Sequence, residues 1–274
     1  MKKILLFVFG VTLLSLSSCF ETDNWDAPDC TWQGTVTDSY TGQPILASQN
    51  DWQIRIWERS FTGQEGGATN FQDLRIKQDG TYQNTKLFAG TYDMLPYNGP
   101  FWPMDTLKNL VLKDRLVQDF EVTPYLQVLD VRLEQFNRDG KDSIRVVFKV
   151  KAPVLTRNGA TLPRLYELRV FLSYTPFVGN GNDSSIGVAE YTNQPGGTVG
   201  LNSGNGFLRM TLSDNGDNNW TNLIANGPGD NTTADITFSA QVKKGYTYYY
   251  RAGASVNDTY RKFCYSPISS FTVQ

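Results

Sequence analysis

The chain has 274 residues, with 25 Lys and Arg against 27 Asp and Glu for a net charge of −2, and it contains no histidine. Without histidine there is no Ser-His-Asp or Cys-His activation of a nucleophile, no usual ligand for catalytic zinc and no simple histidine pH switch. A slightly acidic chain also lacks the basic patch or stripe that nucleic acid calls for, while 40% hydrophobic residues suffice for a real core.

The first segment is Met1-Lys2-Lys3 followed by the apolar run Ile4 to Leu16. Thirteen residues fall short of the ~20 that span a bilayer as a helix. A basic start, a short apolar core and small residues after it describe a secretory signal. The end of that run, Leu16-Ser17-Ser18-Cys19, resembles a bacterial lipobox. The resemblance implies a signal peptide over 1–18, cleavage before Cys19 and attachment of lipid to the Cys19 sulfur. Several acyl chains hold a protein firmly, because each buried CH₂ contributes ~0.8 kcal/mol. Residues 19–28 are then a tether, and its acidic Glu21, Asp23 and Asp26 resemble the surface-export signal of Bacteroidetes lipoproteins. Loss of Lys2 and Lys3 leaves 23 basic against 27 acidic residues, a net charge of −4.

From Asp29 to Thr123 the chain reads as strands. Trp32 to Thr37 is short, and Ser39 to Pro44 is a turn cluster. Asp51 to Arg59 alternates, with Trp52, Ile54 and Ile56 on one face and Gln53, Arg55 and Arg59 on the other. Leu74 and Ile76 begin a strand closed by Asp79-Gly80; Tyr92, Met94 and Pro96 share a face after Ala89-Gly90; Leu116 to Val122 is a single last strand. Gly-Thr-Tyr recurs ten residues apart, at Gly80 and Gly90, where glycine admits a positive φ before each tyrosine enters a strand. With Thr41-Gly42-Gln43-Pro44-Ile45 upstream, this run resembles the carboxypeptidase regulatory-like, transthyretin-like sandwich. That module is an accessory fold, so no peptidase activity is implied.

A second block, residues 124–274, alternates again at Ile144, Val146, Phe148 and Val150, at Leu168, Val170 and Leu172, and at Ile236, Phe238, Ala240 and Val242. A Gly/Asn/Asp-rich stretch runs from Val178 to Gly206. The end, Tyr246 to Val273, is similar to the last two strands of a fibronectin type III-like domain, with Tyr246, Tyr248, Tyr250, Ala252 and Ala254 facing the core. The expected fold is all-β: two antiparallel β-sandwich domains in tandem, with no helix beyond a turn or two. Cys30 and Cys264 are expected as two separate buried thiols, a long-range disulfide being the alternative.

Taken together, these segments resemble two-domain Bacteroidetes surface lipoproteins of unknown function, whose members are associated with starch-utilisation-type carbohydrate uptake. The resemblance implies an outer-membrane, lipid-anchored, cell-surface protein. Its implied partners are membrane lipid through Cys19, a polysaccharide and an outer-membrane transporter complex, and no nucleic acid. It brings no cofactor and no catalytic residue.

Candidate glycan contacts are Trp57, which breaks its strand's pattern by joining the polar face, and Tyr97, Phe101 and Trp102 in a Gly-Pro-rich loop. Pyranose rings offer C–H faces that stack on such side chains, and a rigid loop presents them at little ordering cost. The competing reading packs Trp57 under a neighbouring loop and wedges Phe101-Trp102 between the domains. Paired carboxylates of glycosidase type carry no signal among 27 acids. The loop Ser213 to Trp220 is oxygen-rich but lacks EF-hand ligand spacing, and a plain hairpin tip accounts for it. Asp105-Thr106-Leu107 and Asp142-Ser143-Ile144 resemble an O-glycosylation sequon of Bacteroidetes. The chain is therefore expected to be non-catalytic, binding glycan or docking to the transporter. The alternative is a structural or adhesive module that contacts only protein.

Overall fold

A computed structural model describes residues 27–59, 71–180, 207–211 and 220–274. Cys19, the signal and the acidic tether lie outside the described residues, as do 213–219 of the oxygen-rich loop and 181–206 of the Gly/Asn/Asp-rich stretch. Among the described residues no helix is long and apolar enough to cross a membrane.

The first eight strands are β1 (Cys30–Asp38), β2 (Gln53–Glu58), β3 (Phe71–Arg75), β4 (Thr81–Leu87), β5 (Gly90–Tyr97), β6 (Leu107–Leu112), β7 (Arg115–Val117) and β8 (Phe120–Val122). One sheet runs β3-β2-β5-β6, all antiparallel, and faces a second built on β1. There β4 pairs antiparallel on one side of β1, while β7 and β8 pair parallel to it. The alternation read from sequence sorts the faces: Trp52, Ile54, Ile56 and Met94 are fully buried, with Trp32 and Val36 opposite. Trp32 meets Tyr92 edge-on at 5.5 Å, the preferred geometry of a packed aromatic pair.

The expected single strand from Leu116 to Val122 is two short strands. At the break the Asp119 carboxylate accepts the Thr35 N–H at 2.8 Å, so a side chain replaces one rung of the backbone ladder. The Gln118 N–H still donates to Gln33 O at 2.9 Å. The backbones pass so closely here that a Cβ on Gly34 would lie 1.9 Å from the Gln118 carbonyl oxygen. The strand β6 had no alternating pattern to announce it: its LKNLVL run is interrupted by Asn109 at φ 58°.

The remaining strands are β9 (Gln127–Arg138), β10 (Lys141–Lys151), β11 (Thr156–Arg157), β12 (Ala160–Thr161), β13 (Leu165–Ser173), β14 (Phe207–Thr211), β15 (Ile236–Gln241), β16 (Thr247–Val256), β17 (Phe263–Tyr265) and β18 (Ser269–Thr272), with the short helix α1 (Trp220–Ala225) before β15. The sheet β15-β10-β9 faces β14-β13-β16, and β17 and β18 follow each other along the free side of β16. Ile144, Val146, Phe148, Val150, Val170, Phe238 and Ala240 are fully buried between them. Tyr248, Tyr250, Ala252 and Ala254 face this core as expected, but Tyr246 is 48% exposed, because it lies between the turn at 244–245 and the first residue of β16.

The chain passes from one core to the other at Thr123–Tyr125. Neighbouring residues of one loop enter different cores: Phe101 packs edge-on to Trp52 at 5.2 Å in the first, and Trp102 lies 5.4 Å from Tyr125 in the second. Backbone bonds pin this loop, from Trp102 N–H to Thr123 O at 2.9 Å and from Tyr125 N–H to Pro100 O at 3.1 Å. A second tie lies at the other side of the junction. Arg251, fully buried, donates to Ala47 O at 2.9 Å and stacks over Tyr265 at 3.6 Å. Lys262 pairs with the buried Asp51 at 3.4 Å. Cys30 and Cys264 are both free and buried, Cys30 in the first core and Cys264 in the second.

Candidate functional site

The outward face of the β3-β2-β5-β6 sheet carries the residues that break the apolar alternation. Arg55 on β2 forms a two-pronged ion pair with Asp73 on β3, its Nε and Nη2 donating at 2.8 and 3.0 Å. Its hydrogen bonds to the Asp73 carboxylate raise the Arg55 pKa, so the guanidinium stays charged. That cation lies between two rings, 3.6 Å from the centre of Phe71 and 4.0 Å from that of Tyr97. Such stacking holds Tyr97 at a fixed tilt.

Tyr97 ends β5, and across the domain junction it meets Tyr260, which lies in the turn after β16. The ring centres are 5.8 Å apart at 60°, and the Tyr260 hydroxyl donates to that of Tyr97 at 3.3 Å. That hydrogen bond, with burial adding to it, raises the Tyr260 pKa, so its hydroxyl remains a donor at neutral pH. Asp258 fixes the turn by accepting the N–H groups of Tyr260 at 3.1 Å and Arg261 at 2.6 Å. Arg261 in turn stacks over Tyr166 at 4.3 Å.

Tyr97 and Tyr260 together line a cleft of about 280 Å³. Its floor is Phe101 and Met104, and Asp258 stands on its wall. Asn98, held at φ 61°, also lines it. The cleft therefore offers two half-exposed rings with hydroxyls at their edges and an apolar floor. That is the chemistry of stacking and hydrogen bonding. The one carboxylate on its wall is committed to a turn.

The four residues singled out from sequence fall into three situations. Tyr97 lines the cleft. Trp57 is half-buried on the same outward sheet face, but β2 pairs Gln53, four residues earlier, with Tyr97. Trp57 thus stands about 13 Å along the strand from the cleft. Phe101 and Trp102 are each 4% exposed and present no free ring to a ligand. Their loop does wedge the junction, with Phe101 contributing only floor. Sequence reasoning missed Tyr260, Asn98 and Arg55. The tyrosine in Asn257-Asp258-Thr259-Tyr260 had a local signal as an aromatic in an Asx turn, but its partner lies 163 residues away. No group of three or more metal-ligating side chains occurs among the described residues.

Residues 30–123 match the N-terminal domain of a family of unknown function, DUF3823. Several solved structures share the two-domain fold. A DUF3823 protein from Bacteroides uniformis superposes with a TM-score of 0.63 at 20% identity, over 90% of this chain and 100% of its own. A DUF3823 protein from Parabacteroides merdae gives 0.56 at 20%, with the same coverage. A third protein, from Bacteroides uniformis and described as a candidate carbohydrate-binding protein, gives 0.58 at 22%, again over 90% and 100%. The family resemblance and the tandem β-sandwich expected from sequence are both met. A search of curated proteins finds no match.

Proposed function

We propose, for a chain whose residues 30–123 match the DUF3823 N-terminal domain, that it is a non-catalytic, lipid-anchored protein of the outer membrane that holds carbohydrate between its two domains. The observation that carries this reading is the Tyr97–Tyr260 pair at a cleft lined by the apolar Phe101 and Met104. One ring comes from each domain, and Arg55 on one side and Asp258 on the other fix them before any ligand arrives. Pre-ordered rings avoid the entropy cost that ordinarily weakens binding of a flexible sugar chain. The candidate carbohydrate-binding protein of the same fold supports the ligand class. Anchoring through Cys19 rests on the lipobox resemblance, and uptake by a transporter complex rests on the family resemblance.

Affinity electrophoresis through gels containing soluble starch, xyloglucan or β-mannan tests the reading. At least one polymer retards the parent protein, and Tyr97→Ala with Tyr260→Ala weakens that retardation at least tenfold, about 1.4 kcal/mol. Migration of the parent unaffected by all three polymers, with transporter components co-purifying in their absence, would replace this reading by that of a protein-contact module. Anchoring is tested separately by fatty-acid labelling, which a Cys19→Ser substitution should abolish.

A further inference from the structure

The second domain exposes another pair of aromatic rings. Tyr174, just after β13, is 41% exposed and Tyr246, just before β16, is 48% exposed. Their ring centres are 5.3 Å apart at 41°. Beneath them lies Tyr248, only 2% exposed, at 5.2 Å from Tyr174 and 6.5 Å from Tyr246. Tyr248 is itself stacked on Phe271 at 5.3 Å and 11°, and its hydroxyl accepts the Lys243 N–H at 2.9 Å. The inner layer therefore already closes this end of the sandwich. The outer rings add little to that closure, yet they are held at a set angle by the layer below. Exposed polar side chains flank them in the chain, Thr175 beside Tyr174 and Lys243 and Lys244 beside Tyr246.

We infer that Tyr174 and Tyr246 form a second carbohydrate-contact site, engaged by a polysaccharide chain that also occupies the Tyr97–Tyr260 cleft. This rests on the carbohydrate reading of that cleft. The link is β16. Tyr246 precedes its first residue and Tyr260 follows its last, so the two ring pairs stand at opposite ends of one ten-residue strand, about 33 Å apart. Both pairs offer the same chemistry: tilted tyrosine faces with hydroxyls at the edge. Two weak contacts on one polymer reinforce each other, since engagement at the first raises the local concentration at the second. A short oligosaccharide fits one pair and gains nothing from the other.

The test compares the full mature protein with a Tyr174→Ala, Tyr246→Ala variant against one retarding polymer and its tetrasaccharide. Tetrasaccharide affinity, read by calorimetry, stays within twofold of the parent, which also shows that the variant is folded. Polymer affinity falls at least tenfold. Tyr97→Ala with Tyr260→Ala removes tetrasaccharide binding. Polymer affinity unchanged in the Tyr174, Tyr246 variant overturns the second site while leaving the cleft intact. Failure of the parent to bind any polymer overturns both. Milder replacements, Tyr174→Thr and Tyr246→Thr, give the same loss if stacking is the cause.

Discussion

Asp51 and Asp93 are both nearly shut off from water, yet their carboxyls move in opposite directions. Burial pushes Asp51 up, and the opposing Lys262 ammonium and Ser48 N–H do not cancel it. Burial also pushes Asp93 up, but hydrogen bonds from Arg59 and the Asn109 N–H outweigh it and hold the carboxyl below its ordinary value. The linkage signs follow. Stability from Asp93 is complete above the ordinary carboxylate range and is lost as pH falls through the lowered folded value. Stability associated with Asp51 is complete below that range and is lost as pH rises through the raised folded value. Urea unfolding across pH should separate the two. Asp93→Asn costs roughly 1.5–3 kcal/mol at pH 7, and its deficit shrinks as pH drops below about 4. Asp51→Asn does the reverse, gaining on the parent as pH climbs from about 4 toward 7. Neither shift was legible in the sequence, where both residues read as ordinary turn or strand acids. What decides them is what folding supplies: burial that Lys262 does not offset at Asp51, and hydrogen bonds from Arg59 and Asn109 that outweigh burial at Asp93.

At the scale of elements, the loop after β5 carries the most weight for its length. Trp102 adds a ring from the first domain's loop to the second domain's core, so its removal acts on both. Trp102→Ala should cost about 3–5 kcal/mol, as for other buried tryptophans, and should split one calorimetric transition into two. A single unsplit transition with an equal loss of stability would mean that the backbone bonds and the Arg251 and Lys262 ties suffice without it. Strand faces were legible wherever one side is buried, because a period of two sorts Trp52, Ile54 and Ile56 or Ile144, Val146 and Phe148 without ambiguity. Legibility failed where a side chain interrupts the ladder, as Asp119 does, and where a strand ends, as at Tyr246. The pattern continues through Tyr246 in sequence, but regular strand pairing begins only at Thr247.

Across the whole molecule, what the sequence could not convey was adjacency between domains. Periodicity reports on one strand at a time. Nothing in it brings Tyr97 to Tyr260, so the site was only half visible, and two of its four expected residues went to packing instead. The two remaining thiols give a direct measure of how firmly the domains act as one. Burial raises both, the Cys264 thiol to about 12, and each belongs to a different core. In protein expressed from Thr22 onward, a maleimide should label neither thiol in the folded state. Both should become reactive at the same denaturant concentration if the junction couples the domains. Labelling of Cys30 well before Cys264 would show the first domain opening alone.

The parallel pairing of β1 with β7 and β8 also dictates timing. Cys30 to Asp38 leave the ribosome first, but the partners that flank them on one side, residues 115–122, come about eighty residues later. The leading segment can find its antiparallel neighbour sooner, yet its sheet stays half made until nearly the whole first domain has been synthesised. Distant closure of this kind is slow. A chain so ordered completes the sheet around β1 only late in its emergence.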